Sequence, residues 1–188
     1  MKLARCSLVL ALLLVSRAAS AQSGRLDGDV GLSIEGGASF GERTAGAVAG
    51  RALYLATAGA YATVTAGPDG YRLGAAGVEM RPLFIPRFLR NFEGSRDTFE
   101  LTVDSLSIDL GAAKRDHVGD LFLELGVGVE VPLLARYSGP FLALHIVRDI
   151  APDSLRGGTG GETRAMLTLG FRGTFIAHLV DAGDRSTR

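Results

Sequence analysis

The stretch Asp120-Leu121-Phe122-Leu123-Glu124-Leu125-Gly126-Val127-Gly128-Val129-Glu130-Val131 alternates without a break. One face carries Leu121, Leu123, Leu125, Val127, Val129 and Val131, and the other carries Asp120, Phe122, Glu124, Gly126, Gly128 and Glu130. A helix would smear both sets around its circumference, whereas a strand sends successive side chains to opposite sides. The segment therefore reads as a long strand with one oily face and one polar face.

Two other segments repeat the pattern. Val30, Leu32, Ile34, Gly36 and Ala38 alternate with Gly31, Ser33, Glu35, Gly37 and Ser39. Ala165, Leu167, Leu169, Phe171, Gly173 and Phe175 alternate with Arg164, Met166, Thr168, Gly170, Arg172 and Thr174. Between these anchors, strands are predicted near 45–57, 60–67, 71–83, 98–112 and 139–150. Gly67-Pro68-Asp69-Gly70 is a strong hairpin turn between two of them. The alternation changes phase near Ala75–Gly77 and again near Ser105, which predicts bulges there. Phe99, Val103, Leu106 and Leu110 also fit helical spacing, but the neighbouring strands favour a strand for 98–112.

The N-terminus has the order of an export signal. Lys2 and Arg5 precede the apolar run Leu8 to Val15, and Ala19-Ser20-Ala21 matches a cleavage site. That run is too short to cross a bilayer, which takes about 20 apolar residues. Residues 1–21 are thus expected to be a cleaved signal peptide, 22–178 a single β-barrel domain and 179–188 a polar tail. Cys6, the only cysteine, lies ahead of the apolar run, so the processed chain has neither disulfides nor cysteine metal sites. Processing removes Lys2, Arg5 and Arg17 from 20 basic residues, leaving 17 against 20 acidic ones, a net charge of −3. Such a balance offers no electrostatic case for nucleic acid. Apolar residues spread in short segments argue equally against a helical membrane protein.

Eight predicted strands of about ten residues suit an all-β, antiparallel, up-and-down barrel that crosses a membrane. Closure gives every backbone N–H and C=O a partner where no water is available. The oily faces then meet lipid, and the polar faces crowd an interior just wide enough for packed side chains. A soluble barrel or sandwich would invert the two faces, turning Leu121 to Val131 inward. Long strands, glycine on the polar faces and charge-free oily faces favour the membrane arrangement. Inward Glu35, Glu124 and Glu130 are expected to pair with inward Arg51, Arg164 and Arg172, and closure should bring Glu35 near Arg164 or Arg172.

In pattern, the chain resembles the small outer-membrane barrels of Gram-negative bacteria, the class of the outer membrane protein A transmembrane domain and outer membrane protein X. The likeness spans nearly the whole processed chain and rests on alternation and export. It departs from the class in lacking Trp and in following Phe175 with a polar tail. What the resemblance implies is residence in the cell outer membrane, contact with its lipids and handling by the barrel-assembly machinery. It also implies a non-enzymatic envelope role in structure, adhesion or limited permeation. The competing readings are a periplasmic or secreted soluble barrel for an apolar ligand, and an outer-membrane lipid hydrolase.

No residue earns a catalytic, cofactor-binding or metal-binding assignment. His145, with Asp149 four residues on and Ser138 upstream, is the nearest approach to a triad. On a regular strand, however, His145 and Asp149 stand about 13 Å apart. His117 and His178 are dispersed, without the spacing of metal ligands. Asp104, Asp109, Asp120, Glu124 and Glu130 contain the residue type of glycosidase sites, but interior ion pairing explains the inward ones more simply. Gly157-Gly158-Thr159-Gly160-Gly161 lacks the ending of a phosphate loop and reads as a flexible connection. Arg81 to Phe92 mixes Arg81, Arg87 and Arg90 with Leu83, Phe84, Ile85, Phe88, Leu89 and Phe92. That mixture suits either an interfacial segment or a loop plugging a barrel end.

Overall fold

The computed structural model describes residues 30–83, 98–116, 121–134, 136–151 and 161–177. The expected signal peptide and tail, His117, His178, Asp120, residues 84–92 and most of the Gly157–Gly161 loop lie outside them. Eight antiparallel strands close on themselves in sequence order. They are β1 (Val30–Phe40), β2 (Thr44–Tyr54), β3 (Ala58–Ala66), β4 (Arg72–Met80), β5 (Ser107–Arg115), β6 (Leu121–Pro132), β7 (Gly139–Ile150) and β8 (Thr163–Phe175). Closure is made by β1 on β8, from Val30↔Phe175 to Phe40↔Ala165. The β1–β2, β3–β4, β5–β6 and β7–β8 connections share one end, the turn end. The start of β1 and the close of β8 lie at the other, the termini end.

The stagger of the ladder fixes which side chains meet inside. Following register partners from Gly31 through Leu53, Gly59, Glu79, Asp109, Gly126, Val147 and Arg164 returns to β1 at the level of Gly41. That offset of ten residues tilts the strands by about 40°.

The faces fall as the membrane reading expects. Along β6, Leu121, Leu123, Leu125, Val127 and Val131 are exposed, while Phe122, Glu124, Gly126, Gly128 and Glu130 are buried. On β7, Leu142, Leu144 and Ile146 point out, and Phe141, Ala143, His145, Val147 and Asp149 point in. The inverted faces of a soluble barrel are not what this chain adopts.

Four local expectations are corrected. Residues 98–112 are not one strand: Thr98–Asp104 form a short helix, α1, and β5 starts at Ser107. The helical spacing from Phe99 to Val103 prevails at the front of that segment. No bulge interrupts β4, whose register runs unbroken against both β3 and β5. Its apparent phase change has another cause. The inward row is Leu73, Ala75, Gly77 and Glu79, so one lumen-facing row is oily at the turn end and charged further in. Leu73, Ala75, Ala113 and Phe122 form a small apolar cluster there. Finally, β2 ends at Tyr54, and Leu55 and Ala56 turn the chain with φ of 48° and 55°. Left-handed backbone at two non-glycine residues fits the tight, twisted hairpins that favour positive φ.

The predicted bulge at Ser105 is a substitution of a different kind. Register pairs Ser107 with Gly128, so Ser105 would face Glu130. The chain has already left the sheet for α1, and the Ser105 hydroxyl takes over. Its Oγ accepts from the Glu130 N–H at 2.8 Å and lies 2.7 Å from the Glu130 carbonyl oxygen. A side chain thus does what a strand backbone would do, and the edge of β6 stays satisfied.

Candidate functional site

The lumen holds the chemistry, and it is organised as two alternating chains of charge. In the first, Arg51 Nε donates to Glu35 at 2.6 Å and its Nη1 donates to Glu79 at 2.6 Å. Glu79 also accepts from Arg81 Nε at 2.8 Å, and Arg81 reaches on to Glu130 at 2.6 Å. Glu130 in turn accepts from Arg172, whose guanidinium packs over the Tyr137 and Phe141 rings at 4.6 and 4.9 Å. The order is Glu35, Arg51, Glu79, Arg81, Glu130, Arg172.

The second chain lies toward the turn end. Glu124 accepts from Arg164, which also donates to Asp149 at 2.5 Å. Arg115 sits 3.3 Å from Asp149 and 2.9 Å from Glu162, with its guanidinium over the Phe122 ring. The order is Glu124, Arg164, Asp149, Arg115, Glu162.

Tyr61 joins the two. Arg51 stands over its ring at 5.6 Å, and its hydroxyl donates to Glu124 at 2.8 Å. Together these contacts draw side chains from all eight strands into one array. Burial explains why the charges come paired. Removing an ion from water costs several kcal/mol after relaxation, by a rough estimate, unless opposite charge and hydrogen bonds replace the hydration shell. Each of Arg51, Arg81, Arg115 and Arg164 bridges two carboxylates, so few acceptor positions are left empty.

Glycine makes room for these long side chains. A Cβ at Gly128 would stand 2.2 Å from His145 Nδ1, and one at Gly170 would stand 2.4 Å from the Phe141 ring. Both lie on the inward side, where eight strands leave little space.

The three carboxylates and three arginines expected to pair do so, as Glu35–Arg51, Glu124–Arg164 and Glu130–Arg172. Glu35 does not meet Arg164 or Arg172. Register sets it opposite Gly170, and its contact on β8 is the Thr168 hydroxyl. His145 does not join Asp149: its Nδ1 lies 3.1 Å from Asp109, two strands away, while Asp149 is held by arginines. Asp109, Glu124 and Glu130 are thus lumen charges rather than a free carboxylate pair. Arg81 is not interfacial but fully buried, whereas nearby Leu83 is exposed. Sequence reasoning missed Glu79, Tyr61, Arg115 and Glu162, and it singled out Arg81 without its place in the lumen. For Glu79 and Arg81 a signal existed, since both continue the inward row of β4 at spacings of two.

The class this geometry defines is a closed, eight-stranded antiparallel barrel with a charged interior and an oily exterior. Among solved structures, the chain is similar to the backbone structure of the Yersinia pestis outer membrane protein Ail in phospholipid bilayer nanodisc. The TM-score is 0.43 at 14% identity, over 76% of this chain and 98% of that one. No family model matches the sequence, and no curated protein matches it either.

Proposed function

We propose that this protein spans the bacterial outer membrane as a closed barrel and serves a non-enzymatic envelope role, in structure, adhesion or limited permeation. One observation carries the reading: the outward row of every strand is oily or small and free of charge except at one rim. From Leu121 to Val131, at about 3.4 Å per residue and about 40° of tilt, that row projects to about 26 Å on the barrel axis. An outer-membrane barrel needs an apolar band of about 25 Å. Exposed apolar area on this scale, encircling the molecule, far exceeds the few hundred Å² that soluble monomers tolerate.

The interior supports the rest. A lumen crossed by paired arginines and carboxylates leaves no wide aqueous path, which favours a structural or adhesive role over bulk permeation. The only described histidine, His145, is 1% exposed and engaged by Asp109. That arrangement speaks for a packing residue rather than a general base. Folding in such a role depends on the barrel-assembly machinery as a partner.

Fractionation tests the proposal. The processed chain should stay with outer membranes after an alkaline carbonate wash. Release into the soluble periplasmic fraction would refute it.

A further inference from the structure

Charge on the outer wall is confined to one place. Among the outward-facing positions of the eight strands, the only charged residues are Arg72, Lys114 and Arg148. All three are cations, all are exposed, and all lie at the turn end. Arg72 opens β4 at its hairpin with β3, where it pairs with Ala66. Lys114 faces Leu121 across the β5–β6 hairpin, and Arg148 faces Thr163 across the β7–β8 hairpin. At the termini end the corresponding outward positions are Val30, Tyr54, Ala58, Met80, Ile108, Val131, Pro140 and Phe175, none of them charged.

We propose that Arg72, Lys114 and Arg148 form a cationic rim that holds the phosphate of lipid headgroups, and so sets which end of the barrel faces an anionic leaflet. The inference rests on the bilayer-spanning reading above. Its physics is simple. A long basic side chain at the edge of an apolar band lays its stem along the oil and lifts its charge to headgroup level. There a guanidinium or ammonium meets phosphate oxygens with short, charge-assisted hydrogen bonds. Of the acidic neighbours at that end, Glu162 and Asp149 turn inward to Arg115, while exposed Asp116 lies beside Arg72, its N–H donating to the Arg72 carbonyl at 3.2 Å. From β4 to β7 the rim covers three strand intervals of about 4.8 Å, or about 14 Å, wide enough for more than one phosphate.

Near a membrane surface each cation is expected to contribute about a five-fold preference for anionic lipid. The test reconstitutes the full processed chain into phosphatidylcholine vesicles containing a minor fraction of phosphatidylglycerol. Insertion is scored by heat-modifiable mobility, and the lipid retained after mild detergent extraction is quantified by mass spectrometry. Wild type should retain phosphatidylglycerol in excess over its bulk fraction, and R72Q/K114Q/R148Q should insert but lose that excess. If the triple variant does not fold, Lys114→Gln alone should cut the excess about five-fold. Insertion of wild type without any excess, or an excess that survives these substitutions, overturns the rim. Failure of wild type to insert in any vesicle instead overturns the bilayer-spanning reading, and the rim falls with it.

Discussion

The Tyr61 hydroxyl on β3 donates to Glu124 on β6 across two intervening strands, at 2.8 Å. Register explains the reach: Tyr61 faces Gly77, Gly77 faces Gly111, and Gly111 faces Glu124. Two consecutive glycines clear a path for the phenol along the barrel wall, and a Cβ at Gly111 would stand 2.4 Å from the Tyr61 oxygen. Tyr61 thereby joins the two charge chains of the lumen.

Gly111→Val should therefore destabilise the barrel by about 1–3 kcal/mol through overpacking. Tyr61→Phe, which keeps the ring and removes the donor to a carboxylate, should lose about 1.5–3 kcal/mol. Urea unfolding in detergent or vesicles, followed by gel mobility, measures both. The two effects should not add in the double variant, because both act on one contact.

Glu130 holds Arg81 and Arg172 together, and removing it strands two buried cations. Glu130→Gln is expected to cost about 3–5 kcal/mol, the range for breaking a buried pair by deleting one partner. Arg172→Glu should be worse, placing like charges side by side, and is expected to block folding in the same assay.

Packing against His145 leads to a rescue experiment. Gly128→Ala should destabilise the protein, because the new methyl meets the imidazole at 2.2 Å. His145→Ala in the same chain should recover much of that loss. A positive coupling in the double-mutant cycle checks the contact, and absence of rescue would place the clash elsewhere.

The register of the fold was legible where the two faces differ in chemistry. On β6 and β8 the outward residues are oily and the inward ones are charged or small, so a period of two is visible. On β4 the lumen row itself begins with Leu73 and Ala75, and contrast between the faces fades. An apparent phase change then imitates a bulge. The partners inside the lumen were only half legible. Sequence gives the inward set, but partners depend on the ten-residue stagger, which moves Arg172 opposite Ser33 and leaves Glu35 to Arg51. The replacement of a strand backbone by the Ser105 hydroxyl leaves no periodic trace at all.

Charge placed on the outer wall should read out depth. Val127 lies midway along β6 and is 55% exposed. If acyl chains surround it, Val127→Arg costs about 2–4 kcal/mol, whereas Thr44→Arg at the turn-end rim costs about 0–1 kcal/mol. Unfolding in vesicles at neutral pH separates the two. Equal and small costs at both positions would mean that water, not lipid, bathes the wall.

Refolding of the processed polypeptide from urea into plain buffer and, in parallel, into detergent micelles shows whether the oily face needs acyl chains. β-rich circular dichroism and heat-modifiable mobility should appear in micelles only, with aggregation in buffer. A folded, monodisperse monomer in detergent-free buffer would contradict that need.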